Sequence, residues 1–330
     1  MVQHRAWQFQ PWLENTSSRP GARFRQPRAI SALSLAFSTV SSLEVTLPVF
    51  GQVIVFAILT EAVGIPHGGL DHRFGSAVCR PLAGKWWPLA FYSAYIAVGL
   101  MVIAGWVIAP LSTIAIFFIL SSIHFGESGS FAMAAFEGGM VIWIPFLARS
   151  REASSLLSLV APGQISGSIQ NIVCEMRPFL WLLLIVLAVR VSRLVWVGIS
   201  DREPQTILKA TRLIAFGVMF ATAPVLISFA TFFCGWHSTR ELFDLSKRMD
   251  PSRPFRGLLR VLRESAPLSL LLIGVISFAA YWRVSNGHPF EAVVIQGVFL
   301  GLSAVAVPHI LLHAIADRLI VDPFAAEAGS

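Results

Sequence analysis

Apolar runs of about one membrane thickness recur along this chain, at residues 45–64, 87–108, 111–126, 132–148, 178–198, 211–236, 266–282 and 291–313. Inside a bilayer no water is present to satisfy backbone N–H and C=O groups, so a spanning segment of this kind must be helical. A crossing needs about 20 residues. By that measure 111–126 and 132–148 are short, while 211–236 is long and carries Pro224 as an expected kink. Only 13% of the residues are charged, against about 25% in soluble domains, and the mean hydropathy is +0.69. The fold expected is an all-α, polytopic integral membrane bundle of the cell membrane. It should have about eight transmembrane helices, within a range of roughly 7–9, some of them short or broken.

The net charge of +7 does not point to nucleic acid. The basic residues lie in tails and loops between apolar runs, where the positive-inside bias and anionic headgroups of the lipid bilayer account for them. Cys79, Cys174 and Cys234 form no CxxC pair, which argues against a disulfide framework or a zinc knuckle. Residues 1–42 read as a polar basic tail, with Arg5, Arg19, Arg23, Arg25 and Arg28 and no long apolar core. Residues 43–318 read as a single membrane-embedded catalytic domain, and 319–330 as a C-terminal tail.

With eight spans and the N-terminus inside, the basic loop Ser238–Ser265 falls on the cytoplasmic side, as the positive-inside rule requires. The same count puts His67 and His124 at the outer ends of their helices and His237 at an inner end. One metal ion then reaches all three only if helices are broken. The uncharged stretch Ala153–Cys174, with Pro162, Gly163 and Gly167, offers a ninth or re-entrant segment that would reverse the later parity.

Chemistry enters with the histidines. Gly64-Ile65-Pro66-His67-Gly68-Gly69-Leu70-Asp71-His72 closes the first apolar run with two imidazoles and a carboxylate. Ionisable residues at the end of a span mark a functional site by default, and histidine is the commonest metal ligand. His124 ends a second run, His237 a third, and His309 and His313 lie within the last. In an α-helix, residues four apart share a face, so His237 pairs with Glu241 and His309 with His313. Imidazole with carboxylate, and no clustered thiolates, suits Fe(II) or Zn. A lone intramembrane histidine is more often a packing residue; several in matching positions at helix ends reverse that expectation. Asp71 and Glu127 are candidates for hydrogen bonds that orient ligand imidazoles, and interfacial polarity is the competing explanation for both. His72, His309 and His313 stand as candidates for the same supporting role or as alternative ligands.

Four stretches taken together carry a family resemblance: Gly-Ile-Pro-His67-Gly-Gly-Leu-Asp-His72, Ile-His124-Phe-Gly, Trp-His237-Ser-Thr-Arg240 and Val-Pro-His309. In this order and at these separations the chain resembles the Brp/Blh-type β-carotene 15,15′-dioxygenases of bacteria and archaea, over roughly residues 50–315. The resemblance implies a polytopic membrane enzyme using Fe(2+) and O2 to split the central double bond of β-carotene, or a related carotenoid, into two all-trans-retinal. It also implies a functional link to a retinal-binding rhodopsin. The family's ligands fall on His67, His124 and His237, which are the catalytic candidates. Its last position is Glu241 here instead of histidine, so the implied metal set is His67, His124, His237 and Glu241, with His309 or His313 as the alternative fourth ligand. Two other readings compete. A membrane di-iron desaturase or hydroxylase would be short of histidine boxes, and a transporter or proton-relay protein would use the histidines along its path.

Overall fold

The computed structural model describes residues 47–128, 130–160, 165–319 and 323–324, the side chains of 165–168 excepted. His4, the 1–42 tail and most of the 319–330 tail lie outside the described residues. Among the described residues there is no strand, and the fold is all-helical.

Helix α1 (Val49–Leu59) runs into a π-helical turn (Thr60–Gly64) and a 3₁₀ turn (Pro66–Gly68), then α2 (Asp71–Ala83). A second 3₁₀ turn (Gly84–Trp86) leads to α3 (Trp87–Ile108) and α4 (Pro110–His124). Short helices α5 (Phe131–Gly138), α6 (Met140–Ala148) and α7 (Ser150–Val160) precede the long α8 (Ile165–Ser200) and α9 (Pro204–Thr222). Helix α10 (Val225–Ala230) continues as a π-helical segment (Thr231–Ser238) into α11 (Thr239–Met249), followed by α12 (Pro254–Ser285) and α13 (Phe290–Arg318).

Among the described residues, four helical stretches have the length and apolarity to cross a membrane, and a fifth arises if α5 and α6, bent by 47° at Gly139, count as one. The apolar faces behave accordingly. Val107 and Ile108 of α3, Trp196 and Ile199 of α8, and Leu270 and Phe278 of α12 all project outward. Surfaces of that kind are stable against lipid and not against water. This is a membrane protein.

The breaks follow from residue chemistry. Ala223 and Pro224 adopt extended backbone between α9 and α10, because proline excludes the preceding residue from the helical region and cannot donate an amide. The long run 211–236 is thus interrupted at the proline that its sequence singles out. Pro66 occupies the first position of its 3₁₀ turn, where a missing N–H costs nothing. The stretch Ser150–Val160 is a short helix, with Ala153, Ser154 and Val160 buried, that packs on α8, α6 and α13.

Helix α13 is the axis of the assembly and packs against α1, α2, α3, α4, α7 and α12. Three apolar cores hold the helices together, and two of them include α13. One joins α6, α8, α9 and the 231–238 segment around Trp143, Phe220 and Trp236. A second joins α1, α3, α4, α7, α10 and α13 around Phe56, Trp106 and Ile295. The third joins α2, α3, α11, α12 and α13 around Leu70, Val261 and Leu312. His67 lies in the chain between the second and third cores, and His237 between the first and third. Both are therefore held from two sides.

Candidate metal centre

One π-helical segment ends three residues before His67, and the other contains His237. Wide turns of this type are rare and recur at functional sites. Here the two turns pack on each other, and the contact requires glycine at position 64. A Cβ on Gly64 would lie 2.6 Å from Cε1 of the Phe233 ring. Gly69 has a similar role on the other side: its Cβ would fall 2.2 Å from the Cβ of Ser265, so the Pro-His-Gly-Gly turn lies directly on α12.

Four imidazoles converge in the space between. The Nε2 atoms of His124 and His237 are 3.2 Å apart. Ring centroids of His67 lie 5.6 Å from those of both His237 and His309, and His124 and His309 are 5.3 Å apart. Ligand atoms of His67, His124 and His309 all lie within 4.8 Å of one another. His237 and His309 are buried; His67 and His124 are partly so.

Second partners fix the tautomers of two rings. His67 donates its Nδ1–H to the Gly64 carbonyl. His309 donates Nδ1–H to Asp71, at 2.8 Å to Oδ1 and 3.0 Å to Oδ2. In both, the remaining Nε2 carries a lone pair, as an imidazole needs in order to ligate. The lone pairs of two facing Nε2 atoms repel unless a proton or a cation lies between them. A separation of 3.2 Å is close to the spacing of about 3 Å that two nitrogens take at right angles around a metal with bonds of about 2.1 Å. The donor set fits a metal ion that prefers imidazole.

Asp71 is buried and central to the support. Besides His309 it accepts a hydrogen bond from Tyr95 Oη at 2.8 Å, while His313 Nε2 stands 3.4 Å away. Asp71, His309 and His313 form a second group of donors, which shares His309 with the first. The remaining candidates lie elsewhere. His72 bonds the Gly69 carbonyl at 3.1 Å and belongs to neither group. Glu241 is exposed on α11 and also belongs to neither. The shared face expected for His237 and Glu241 assumes α-helical spacing, and the backbone is π-helical through Ser238. Glu241 nevertheless stays within electrostatic reach of His309 and His313.

Glu127 bonds no imidazole. It pairs with Arg212 and Arg240 and accepts the Trp236 indole N–H at 3.2 Å. Burial pushes its carboxyl up, but the two guanidinium groups more than compensate and hold it below its ordinary value. Tyr95 was not singled out by the histidine pattern. Its signal is a phenol inside an otherwise apolar run, where a buried hydroxyl seeks a partner.

An apolar cleft opens beside the histidines, lined by His67, His124 and His309 together with residues of the Thr60–Gly64 turn, α4, α10, the 231–238 segment, α12 and α13. Phe117, Phe125, Phe229 and Phe233 supply aromatic wall, and the one carboxylate on the lining is Glu61.

A helical membrane protein with four converging imidazoles at an apolar cleft defines the class: a membrane protein with a candidate metal centre. The chain belongs to the family described as Beta-carotene 15,15′-dioxygenase, which it matches over residues 58–317. It is also similar to a protein named Beta-carotene 15,15′-dioxygenase from uncultured marine bacterium 66A03, with 24% identity over 273 residues, covering 77% of this chain and 90% of the relative. No solved structure matches.

Proposed function

We propose that this chain is an iron(II)-dependent dioxygenase that cleaves the central 15,15′ double bond of β-carotene. One hydrocarbon and one O2 give two molecules of retinal. The observation that carries this reading is the opening of an apolar cleft onto the imidazole cluster, within a chain of the dioxygenase family.

The ligand set we propose is His67, His124, His237 and His309. Glu241 lies outside it, and His309 takes the fourth place. Iron(II) held by these rings supplies the reactivity toward O2 that no side chain has. Each remaining role falls to the protein. Gly64 and Asp71 fix the His67 and His309 tautomers and aim Nε2 at the centre. Aromatic rings from α4, α10 and the 231–238 segment hold a flat polyene by shape and keep water from the reacting bond. Leu272 and Ile276 bring the cleft to α12, whose neighbouring Leu270, Leu271, Val275 and Phe278 face outward, so a substrate of this polarity enters from the bilayer.

On this reading the chain crosses the cell membrane several times, with about eight crossings once the broken segments are counted. Its retinal would serve a rhodopsin-type acceptor. A two-metal variant has one observation in its favour, the second donor group Asp71/His309/His313. It would have to spend the Nδ1 that bonds Asp71, and the single-iron reading leaves that bond intact.

The test is expression in β-carotene-producing cells with chromatography of the extracted pigments, and His67→Ala beside it. Bleaching with retinal appearing, abolished in His67→Ala, is the expected result. Unchanged β-carotene with membrane expression verified would refute the activity, and apocarotenals of other lengths would refute central cleavage.

A further inference from the structure

We propose that Glu127 is a positioning residue that sets the spacing of His124 and His237. The proposal rests on the reading of these two histidines as metal ligands.

The two rings are 113 residues apart in sequence and belong to different elements, the end of α4 and the 231–238 segment. Nothing covalent fixes their 3.2 Å separation. Ligand geometry must nevertheless be held within about 0.5 Å to be productive. Glu127 stands three residues beyond His124. Its carboxylate accepts the indole N–H of Trp236, immediately before His237, and pairs with Arg240, three residues after it. One side chain thus grips the His237 turn on both flanks from an anchor tied to His124. The turn it grips is π-helical, a backbone form with few intrinsic supports.

The grip is itself braced. Arg212 pairs with Glu127 and lies over the Trp236 ring, its guanidinium carbon 4.8 Å from the centroid. The neighbouring Ser128 bonds Glu137 and accepts from Lys209 Nζ at 2.8 Å, and Glu137 pairs with Arg190 at 3.1 Å. The loop after His124 is therefore tied to α5, α8, α9 and α11 within two residues. A plain stabilising salt bridge is the competing explanation. The side chains of Glu127 and Arg240 are only 25% and 31% exposed, and removing one partner of a largely buried pair costs stability too. What separates the two explanations is whether the effect of Glu127 on metal binding depends on His237.

The test uses the purified full chain in detergent, stripped of metal and titrated with Co(II), read by visible absorption and thermal melting. Wild type, Glu127→Gln, Trp236→Phe, His237→Ala and the double variant Glu127→Gln/His237→Ala are compared. Glu127→Gln should weaken Co(II) binding roughly 10–100-fold and shift its ligand-field bands. Trp236→Phe, which removes one hydrogen bond and keeps the packing, should act in the same direction and carries the test if Glu127→Gln does not fold. In the His237→Ala background the further loss from Glu127→Gln should be within about twofold. Equal losses in both backgrounds, or unchanged affinity and spectrum in Glu127→Gln and Trp236→Phe, overturn the proposal. A wild type that binds no Co(II) overturns the ligand reading as well, which separates that failure from a tight wild type indifferent to Glu127.

Discussion

Asp71→Asn isolates the charge behind His309 with little change of shape. Asp71 is buried and accepts from His309 Nδ1 and Tyr95 Oη, both at 2.8 Å; the contact to His313, at 3.4 Å, is too long to weigh much. Tyr95 also has a second acceptor, the Val305 carbonyl at 3.1 Å. An asparagine can therefore keep its oxygen toward His309 and turn its amide to the tyrosine oxygen, and no donor is orphaned. What is lost is ionic character in two hydrogen bonds. Bonds to charged groups contribute about 1.5–3 kcal/mol and neutral ones about 0.5–1.5. The difference is about 1 kcal/mol per bond, and only the bond to His309 bears on a ligand, since the Tyr95 bond is the same with and without metal. At about 1.4 kcal/mol per tenfold, that is a metal affinity weaker by roughly fivefold. Titration of the metal-free protein with Fe(II) under anaerobic conditions measures it. Asp71→Ala should cost more, because it strands the buried His309 N–H at about 1–3 kcal/mol. Binding within twofold of wild type in Asp71→Asn would refute the claim that this carboxylate tunes a ligand.

His309→Ala should abolish stoichiometric metal binding, whereas Glu241→Gln should leave it within about threefold of wild type; the reverse order in metal analysis would put Glu241 in the ligand set. Gly64→Ala drives a methyl to 2.6 Å from the Phe233 ring and should destabilise the protein by about 1–3 kcal/mol. A lower melting temperature, partly restored by Phe233→Leu, is expected, and an unchanged one would contradict the packing of the two π turns. Because the arginines hold the Glu127 carboxyl below its ordinary value, its charge is present at neutral pH and is lost only as pH falls through that depressed value. The affinity ratio of wild type to Glu127→Gln should therefore stay constant between about pH 7.5 and 5.5, and a ratio that collapses in this window would count against the ion pairs.

The class of the protein was legible in its chemistry. Apolar runs of bilayer length admit only helices, and imidazoles at the ends of such runs demand partners, so both the fold class and His67, His124 and His237 stood out without coordinates. Pro224 announced its own break, because proline can neither donate nor let its predecessor turn. Counting spans, by contrast, placed His237 opposite His67 and His124. Parity assumes straight crossings, and this chain bends at Pro224 and Gly139 and widens at Thr60–Gly64 and Thr231–Ser238. Helical spacing likewise paired Glu241 with His237, whereas the donor groups among the described residues leave Glu241 out. Composition and pattern determine which groups cannot rest in lipid. Only the packing of α13 against its neighbours decided which of them meet, bringing His309 to His67 and His124 and seating Asp71 behind it. Those contacts join residues up to 242 positions apart, and the forces that select them act through space, where a linear pattern carries no record.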